Sequence, residues 1–145
     1  MQLSRGWMVV VAIAALPLWA CQPEANTDAI APAAQVERVD GTGLNRVTLT
    51  AQAVVRLDIQ TASVEAVDGP GPITSVVPYG AVIYDAQGDT WVYTGSEDRT
   101  FVRHAVSIVS IEGDRAYLSE GPDQGTKVVS VGSAELFGTE LDVGR

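Results

Sequence analysis

Cysteine, histidine and methionine are nearly absent from this chain of 145 residues. Cys21 is the one cysteine, so the chain can form no internal disulfide. His104 is the one histidine, which excludes a metal site built from several histidines. Met1 and Met8 both lie near the amino terminus, so the remaining sequence offers no thioether ligand for copper. These absences predict a protein without a metal or other cofactor.

Positive charge is also scarce. The chain has 9 Lys and Arg residues against 18 Asp and Glu residues, a formal net charge of −9. Such an acidic surface repels nucleic acid and anionic lipid surfaces, so we expect no nucleic-acid partner. The length and the content of 46% hydrophobic and 19% charged residues are typical of one globular domain.

An uncharged, apolar run covers residues 7–20 and follows Arg5. The run has 14 residues, whereas a membrane-spanning helix needs about 20. Pro17 would further disturb such a helix. We interpret residues 1–20 as a signal peptide for export.

The apolar run ends in Leu18, Trp19 and Ala20, directly before Cys21. This ending resembles the lipobox of bacterial lipoproteins, in which the cysteine receives a diacylglyceryl group and becomes the first residue after cleavage. The resemblance implies lipidation of Cys21 and attachment to membrane lipid on the periplasmic side of the envelope. Because Gln22 is not the Asp that retains some lipoproteins in the inner membrane, the outer membrane is favoured. The alternative is an ordinary secreted protein with a chance cysteine.

Residues 21–43 are predicted to be a flexible tether behind the lipid anchor. The segment is rich in Ala, Pro, Gln, Asn and Asp, and it has few large aliphatic residues, among them Ile30 and Val36. It cannot bury enough apolar surface to offset the entropy lost on ordering. Gly41 and Gly43 mark its expected end.

Residues 44–141 are predicted to form an all-β domain, a small antiparallel β-barrel or sandwich. Short runs alternate between polar and apolar residues and are separated by turn residues, which gives about six to eight strands. Thr50 is placed to cap a short helical turn over residues 51–56. Residues 68–72 are a Gly- and Pro-rich break, and residues 133–137 are interpreted as a final helical turn. The predicted strands are residues 46–49, 61–67, 80–84, 90–94, 100–106, 107–111, 115–119 and 127–131.

Two turn-like segments superficially resemble ligand-binding loops. Asp85, Gly88 and Asp89 could supply oxygen ligands to calcium, but they lack the spacing of an EF-hand. Residues 125–127 contain Gly and Lys without the spacing of a phosphate-binding loop. We interpret both segments as turns that lead into strands.

The aromatic residues of the domain are predicted to pack in the core. Trp91, Tyr93, Phe101 and Tyr117 occur at alternating strand positions, which favours core packing over a ligand platform. His104 is interpreted as a surface or packing residue. Because no acid pair or nucleophilic serine stands out, the sequence does not predict an enzyme.

Several sequence pieces occur in the order found in one family. One group of pieces comprises residues 47–50 and 57–64, and a second group comprises residues 77–82, 88–93, 101–106 and 120–132. These pieces resemble segments of the periplasmic adaptors, or membrane fusion proteins, of tripartite RND-type efflux pumps. The first group is similar to the amino-terminal stretch of adaptors and the second to the carboxy-terminal stretch.

The resemblance implies a lone membrane-proximal β domain on a lipid anchor. In adaptors the two stretches pack together, although a helical hairpin, a lipoyl-like domain and a second β-barrel separate them in sequence. Here residues 69–72 join the two stretches directly. Without the hairpin, contact with an outer-membrane channel of the kind that adaptors make is not expected.

Three functions are compatible with these observations. The first, which we favour, is an accessory or structural protein that docks on an RND-type transporter or beside a full-length adaptor. The second is a stand-alone envelope lipoprotein that binds a small ligand or a cell-wall partner. The third is a truncated remnant of an adaptor.

Overall fold

The computed structural model describes residues 32–68, 70–95 and 98–143. These residues contain eleven strands and two α-helices, α1 and α2. In chain order the elements are β1 Ala34–Arg38, β2 Asn45–Leu49, α1 Ala51–Arg56, β3 Gln60–Ser63, β4 Glu65–Ala66, β5 Ser75–Pro78, β6 Ile83–Tyr84, β7 Thr90–Gly95, β8 Thr100–Ala105, β9 Ser107–Glu112, β10 Arg115–Glu120, β11 Lys127–Val131 and α2 Ser133–Val143.

The strands form two antiparallel sheets. The larger sheet has seven strands in the order β1-β2-β8-β7-β11-β3, with β6 paired to β7. The smaller sheet has four strands in the order β4-β5-β10-β9. The predicted all-β class is therefore confirmed, as a sandwich-like arrangement with more strands than the six to eight expected.

Both faces of the seven-stranded sheet are covered. Val92 and Tyr93 are adjacent in β7 and both have 0% exposure. Val128 and Val129 in β11 are buried in the same way. Neighbouring residues of a strand point to opposite faces, so each of these pairs contributes one side chain to each side of the sheet.

The two faces belong to two separate core clusters. The cluster around Tyr93 includes Ala53 of α1 and Leu136 of α2, so helices cover this face. The cluster on the other face includes Val77 and Leu118 of the four-stranded sheet. The domain therefore has three layers, with the helices on one side of the larger sheet and the smaller sheet on the other.

The predicted helical turn over residues 51–56 is confirmed as α1. The Thr50 hydroxyl accepts a hydrogen bond from the Ala53 N–H at 3.1 Å, which satisfies one of the free donors at the helix start. Val54 and Leu57 pack against the helix-side core, as expected from their spacing.

The prediction that residues 21–43 form a flexible tether is wrong for residues 34–38, because these residues form the strand β1. Ala34–Arg38 pairs with β2 from Ala34 opposite Leu49 to Arg38 opposite Asn45. Ala34 is buried, and Val36 packs against the helix-side core. Backbone hydrogen bonds to β2 stabilise a segment whose own side chains bury little surface, so the folded domain begins before residue 44.

Further differences concern the carboxy-terminal helix and the strand ends. The short turn expected over residues 133–137 is an eleven-residue helix, α2. The strand expected over residues 80–84 is a 3-10 turn, Tyr79–Ala81, followed by β6. The strand expected over residues 61–67 is divided into β3 and β4 at the buried Val64. Neither helix in the described ranges is long and apolar enough to span a membrane.

Candidate functional site

The predicted lipidation site, Cys21, lies outside the described residues, as do the signal peptide and residues 21–31 of the predicted tether. Lipid attachment at Cys21 therefore stays a prediction. The structure places the other residues named in the sequence analysis.

The two turn-like segments are turns, as predicted. The Asp85 carboxylate accepts hydrogen bonds from the N–H groups of Gln87 at 3.0 Å and Asp89 at 2.9 Å, which closes the turn between β6 and β7. Lys127 starts β11, and its ammonium group donates to the Ser63 hydroxyl at 2.8 Å. In the described parts of the chain, no three His, Cys, Asp or Glu residues are grouped to hold a metal ion.

The aromatic residues divide into two groups. Tyr93 and Phe101 are buried in the helix-side core, which confirms their prediction as core residues. Trp91 and Tyr117 are half-buried and belong to neither core cluster, so the prediction that they are core residues is wrong. His104 is exposed on β8. Trp91 contacts Arg103 and Tyr93 contacts Glu140, two residues that the sequence does not predict to belong to a site.

This site is a charged cluster between α2 and the larger sheet, which we call the α2 clamp: Asn45, Tyr93, Arg103 and Glu140. Glu140 of α2 is only 1% exposed and lies four residues after Leu136, on the helix face that meets the sheet. Its carboxylate accepts hydrogen bonds from the Tyr93 hydroxyl and, at 3.1 Å, from the Asn45 amide. Arg103 forms an ion pair with it at 3.1 Å.

The register of the sheet explains why these side chains meet. Tyr93 on β7 lies directly opposite Arg103 on β8, so both side chains point to the same face. Burial raises the pKa of the Tyr93 phenol far above its ordinary value, and the hydrogen bond to Glu140 raises it further. Tyr93 therefore stays protonated and donates to the carboxylate.

Two aromatic rings enclose the Arg103 side chain. The guanidinium carbon lies 5.0 Å from the centre of the Trp91 ring and 5.5 Å from that of Phe137. The Arg103 Nε is buried and has no hydrogen-bond partner among the described residues. The Trp91 indole is held in turn by Asp85, to which it donates a hydrogen bond at 2.9 Å.

The Asp85 carboxylate remains ionised as an acceptor. Desolvation raises the pKa of Asp85, but hydrogen bonds from the Trp91 indole and from backbone N–H groups of the turn outweigh this effect. The net result is a pKa below the usual range for aspartate. Asp85 therefore fixes both the turn and the position of Trp91.

A cleft of about 570 Å³ opens beside this cluster. Trp91, Arg103 and Phe137 line it, together with residues of the turn around Asp85. Its volume is in the range of small-molecule sites. The two charged residues that line it already have partners, however: Arg103 forms an ion pair with Glu140, and Asp85 accepts hydrogen bonds from its own turn and from Trp91. We therefore assign the α2 clamp a structural role, fastening α2 to the sheet.

A second candidate surface is the outer edge of the smaller sheet. In the described structure, β9 pairs with β10 alone and ends the sheet. Val109 and Ile111 on this strand are 46% and 43% exposed. In the register with β10, Ile108 lies opposite Leu118 and Ser110 lies opposite Tyr117. Val109 is the extra residue between them and forms a bulge in β9. Beyond the bulge, the strand continues in regular register to Glu112.

Sequence reasoning missed the α2 clamp for a physical reason. Arg103 and Glu140 lie far apart in the chain, and each has the appearance of an ordinary surface residue in its own segment. The available signal is the spacing of Leu136, Phe137 and Glu140, which puts one acid on the apolar face of a helix. This signal becomes visible only if the predicted helical turn over residues 133–137 is extended to include Glu140.

Comparisons of the chain with protein-family models, with curated proteins and with solved structures give no match.

Proposed function

We propose that this protein is an envelope lipoprotein that docks on a membrane transporter complex, as an accessory or structural component of an RND-type efflux system. The transporter itself or a full-length adaptor is its partner, and the acylated Cys21 attaches it to membrane lipid on the periplasmic side, in the outer membrane. The proposal combines the adaptor resemblance with one structural observation.

That observation is the pairing of strands across the Gly- and Pro-rich break. β2 pairs with β8, β3 pairs with β11, and β4 pairs with β5. Each pair joins a strand that precedes residues 68–72 to one that follows them. Packing of these two stretches into a single domain is the arrangement that the resemblance to a membrane-proximal adaptor domain implies.

The charge of the chain supports a protein partner. A net charge of −9 repels an anionic lipid surface, so the folded domain gains little by lying on the membrane itself. Attachment through a lipidated Cys21 would instead keep the domain near the membrane and leave its sheet edges accessible to membrane proteins.

A pull-down from cross-linked membranes tests this function. Lys127 is the one lysine, so a carbodiimide that couples the abundant carboxylates to amines of the partner suits this chain better than an amine-reactive reagent. The full chain carries a carboxy-terminal tag, and bound proteins are identified by mass spectrometry. We expect enrichment of an RND-type transporter or a full-length adaptor.

Cys21→Ser is the matched control, because it removes the acylation site and leaves the described domain unchanged. We expect it to lose incorporation of labelled palmitate, to leave the membrane fraction and to recover less of the partner. Recovery of the tagged protein alone from wild-type membranes would contradict the proposed function. Equal recovery from the control would contradict the role of the anchor.

A further inference from the structure

The outer edge of β9 differs from the other strand edges of the domain. On the edge strand β1, Glu37 and Arg38 are exposed, and charged residues protect a strand edge from pairing with another chain. The edge strands β3 and β4 expose no large aliphatic side chain, and the edge strand β6 has two residues. β9 has six residues, without Lys, Arg or Pro, and exposes Val109 and Ile111. It is therefore the edge among the described strands best suited to accept a further strand.

Acidic groups flank the apolar centre of this edge. Glu112 ends β9, and the exposed Asp114 follows in the turn to β10. At the other end, Glu120 accepts a hydrogen bond from the Ser107 hydroxyl at 3.0 Å. Arg115 lies opposite Glu112 in the register, but its guanidinium group pairs with Glu65 at 2.5 Å. The edge therefore presents aliphatic side chains between two acidic ends.

This charge pattern selects the kind of segment that fits. A strand with aliphatic residues in its centre and Lys or Arg near its ends would complement the edge. A second copy of this chain is disfavoured, because its β9 would bring the same acidic groups to the contact. The chain as a whole, at −9, also repels itself.

We propose that β9 is the docking edge for the transporter complex and that it accepts an extended segment of the partner, basic at its ends and aliphatic in its centre, as a fifth strand. The inference rests on the proposed function, since it names the surface through which that docking takes place. Backbone hydrogen bonds from Ser110 to Glu112, beyond the bulge, would supply affinity, and contacts with Val109 and Ile111 would supply specificity.

Site-specific photo-cross-linking in intact cells tests the docking edge. A benzophenone amino acid replaces Val109 or Ile111 in the full-length chain, and the linked peptide is identified by mass spectrometry. Val55 on α1 and Val131 at the end of β11, 80% and 41% exposed, provide matched control positions. We expect adducts with a transporter or adaptor at 109 and 111 but not at 55 and 131. The linked partner segment should contain aliphatic residues flanked by Lys or Arg.

Charge reversal at the edge provides the second arm. Glu112→Lys combined with Asp114→Lys should lower the adduct yield at position 109 about tenfold, because the ends of the edge would then repel a basic segment. Glu37→Lys on β1 is the control and should leave the yield unchanged. An unchanged yield in the double variant would overturn the predicted chemistry of the partner segment.

The outcomes separate this inference from the proposed function. Adducts with the transporter at 55 or 131 alone would overturn the docking edge while supporting the proposed function. An adduct between two copies of this chain at 109 would overturn the inference. Absence of transporter or adaptor adducts at all four positions, together with an empty pull-down, would overturn both.

Discussion

Glu140 carries a negative charge into the contact between α2 and the larger sheet, where three partners surround its carboxylate. Removing one member of a buried ion pair leaves the other charge without compensation. We therefore expect Glu140→Ala to lower the free energy of unfolding by about 3–5 kcal/mol. Urea unfolding followed by circular dichroism measures the change.

A second ion pair in the same domain provides the control. Glu65 and Arg115 are 62% and 45% exposed, so water screens their attraction. Glu65→Ala should leave the urea midpoint unchanged. Replacing both charges of the buried pair, with Arg103→Met and Glu140→Leu, should cost less than Glu140→Ala alone. A loss equal to that of the single variant would contradict the explanation by an uncompensated Arg103.

The helix-side core and the α2 clamp also show what the sequence can predict at the residue scale. Tyr93 and Phe101 were predicted to be buried because alternation along a strand is a local pattern. The partner of the Tyr93 hydroxyl could not be predicted, since Glu140 reaches it only after the whole sheet and α2 have formed. Lipidation of Cys21 stays a prediction, which rests on the position of this residue after an apolar run, a signal that needs no tertiary structure.

At the scale of the elements, local signals determined what could be predicted. Thr50 identified the start of α1 because a cap acts within three residues of itself. β1 was missed because Ala34 and Val36 give almost no pattern of their own, and the strand depends on hydrogen bonds to β2. The length of α2 was underestimated because Gly138 and Thr139 weaken helix propensity, whereas Leu136 and Glu140 hold the helix by tertiary contacts.

Two glycines near the carboxy terminus should respond to alanine with opposite signs. Gly132 precedes α2 with φ of +80°, and an added Cβ would lie 2.6 Å from Ile59 Cδ1 and 2.7 Å from the Leu57 carbonyl oxygen. Left-handed strain and overpacking should together cost Gly132→Ala about 2–4 kcal/mol. Gly138 is exposed within α2, and an added Cβ there has nothing within 4 Å. Gly138→Ala should therefore stabilise the domain by about 0.5–1 kcal/mol.

Urea unfolding of both alanine variants beside wild type provides the measurement. Each variant is the control for the other, since both add one methyl group to the same end of the chain. Destabilisation by Gly138→Ala would show that α2 depends on backbone freedom at this position, and a neutral Gly132→Ala would show that the junction between β11 and α2 can relax.

At the scale of the whole molecule, the two halves of the chain are interleaved. The order β1-β2-β8-β7-β11-β3 places strands from before the Gly- and Pro-rich break at both ends of the larger sheet, with later strands between them. Neither half can complete that sheet alone. The connection between the halves, in contrast, is a surface hairpin loop closed by the Val67 N–H and the Thr74 carbonyl at 3.2 Å. The stability of the domain should therefore depend on strand pairing across the break and hardly on the length of the break.

Inserting a twelve-residue Gly and Ser segment after Gly71 tests this expectation. Pro70, Gly71 and Pro72 are exposed, and the insertion lengthens the loop roughly threefold, which should cost only about 1 kcal/mol of loop-closure entropy.

The same segment inserted between Gln87 and Gly88 is the control. That turn is tied by hydrogen bonds from Gln87 and Asp89 to Asp85, which also holds Trp91, so we expect a larger loss of stability there. A large loss from the insertion after Gly71 would mean that the short connection itself holds the halves together. A small one would mean that the domain can accept a long insert at this break, because the strand pairs alone define its fold.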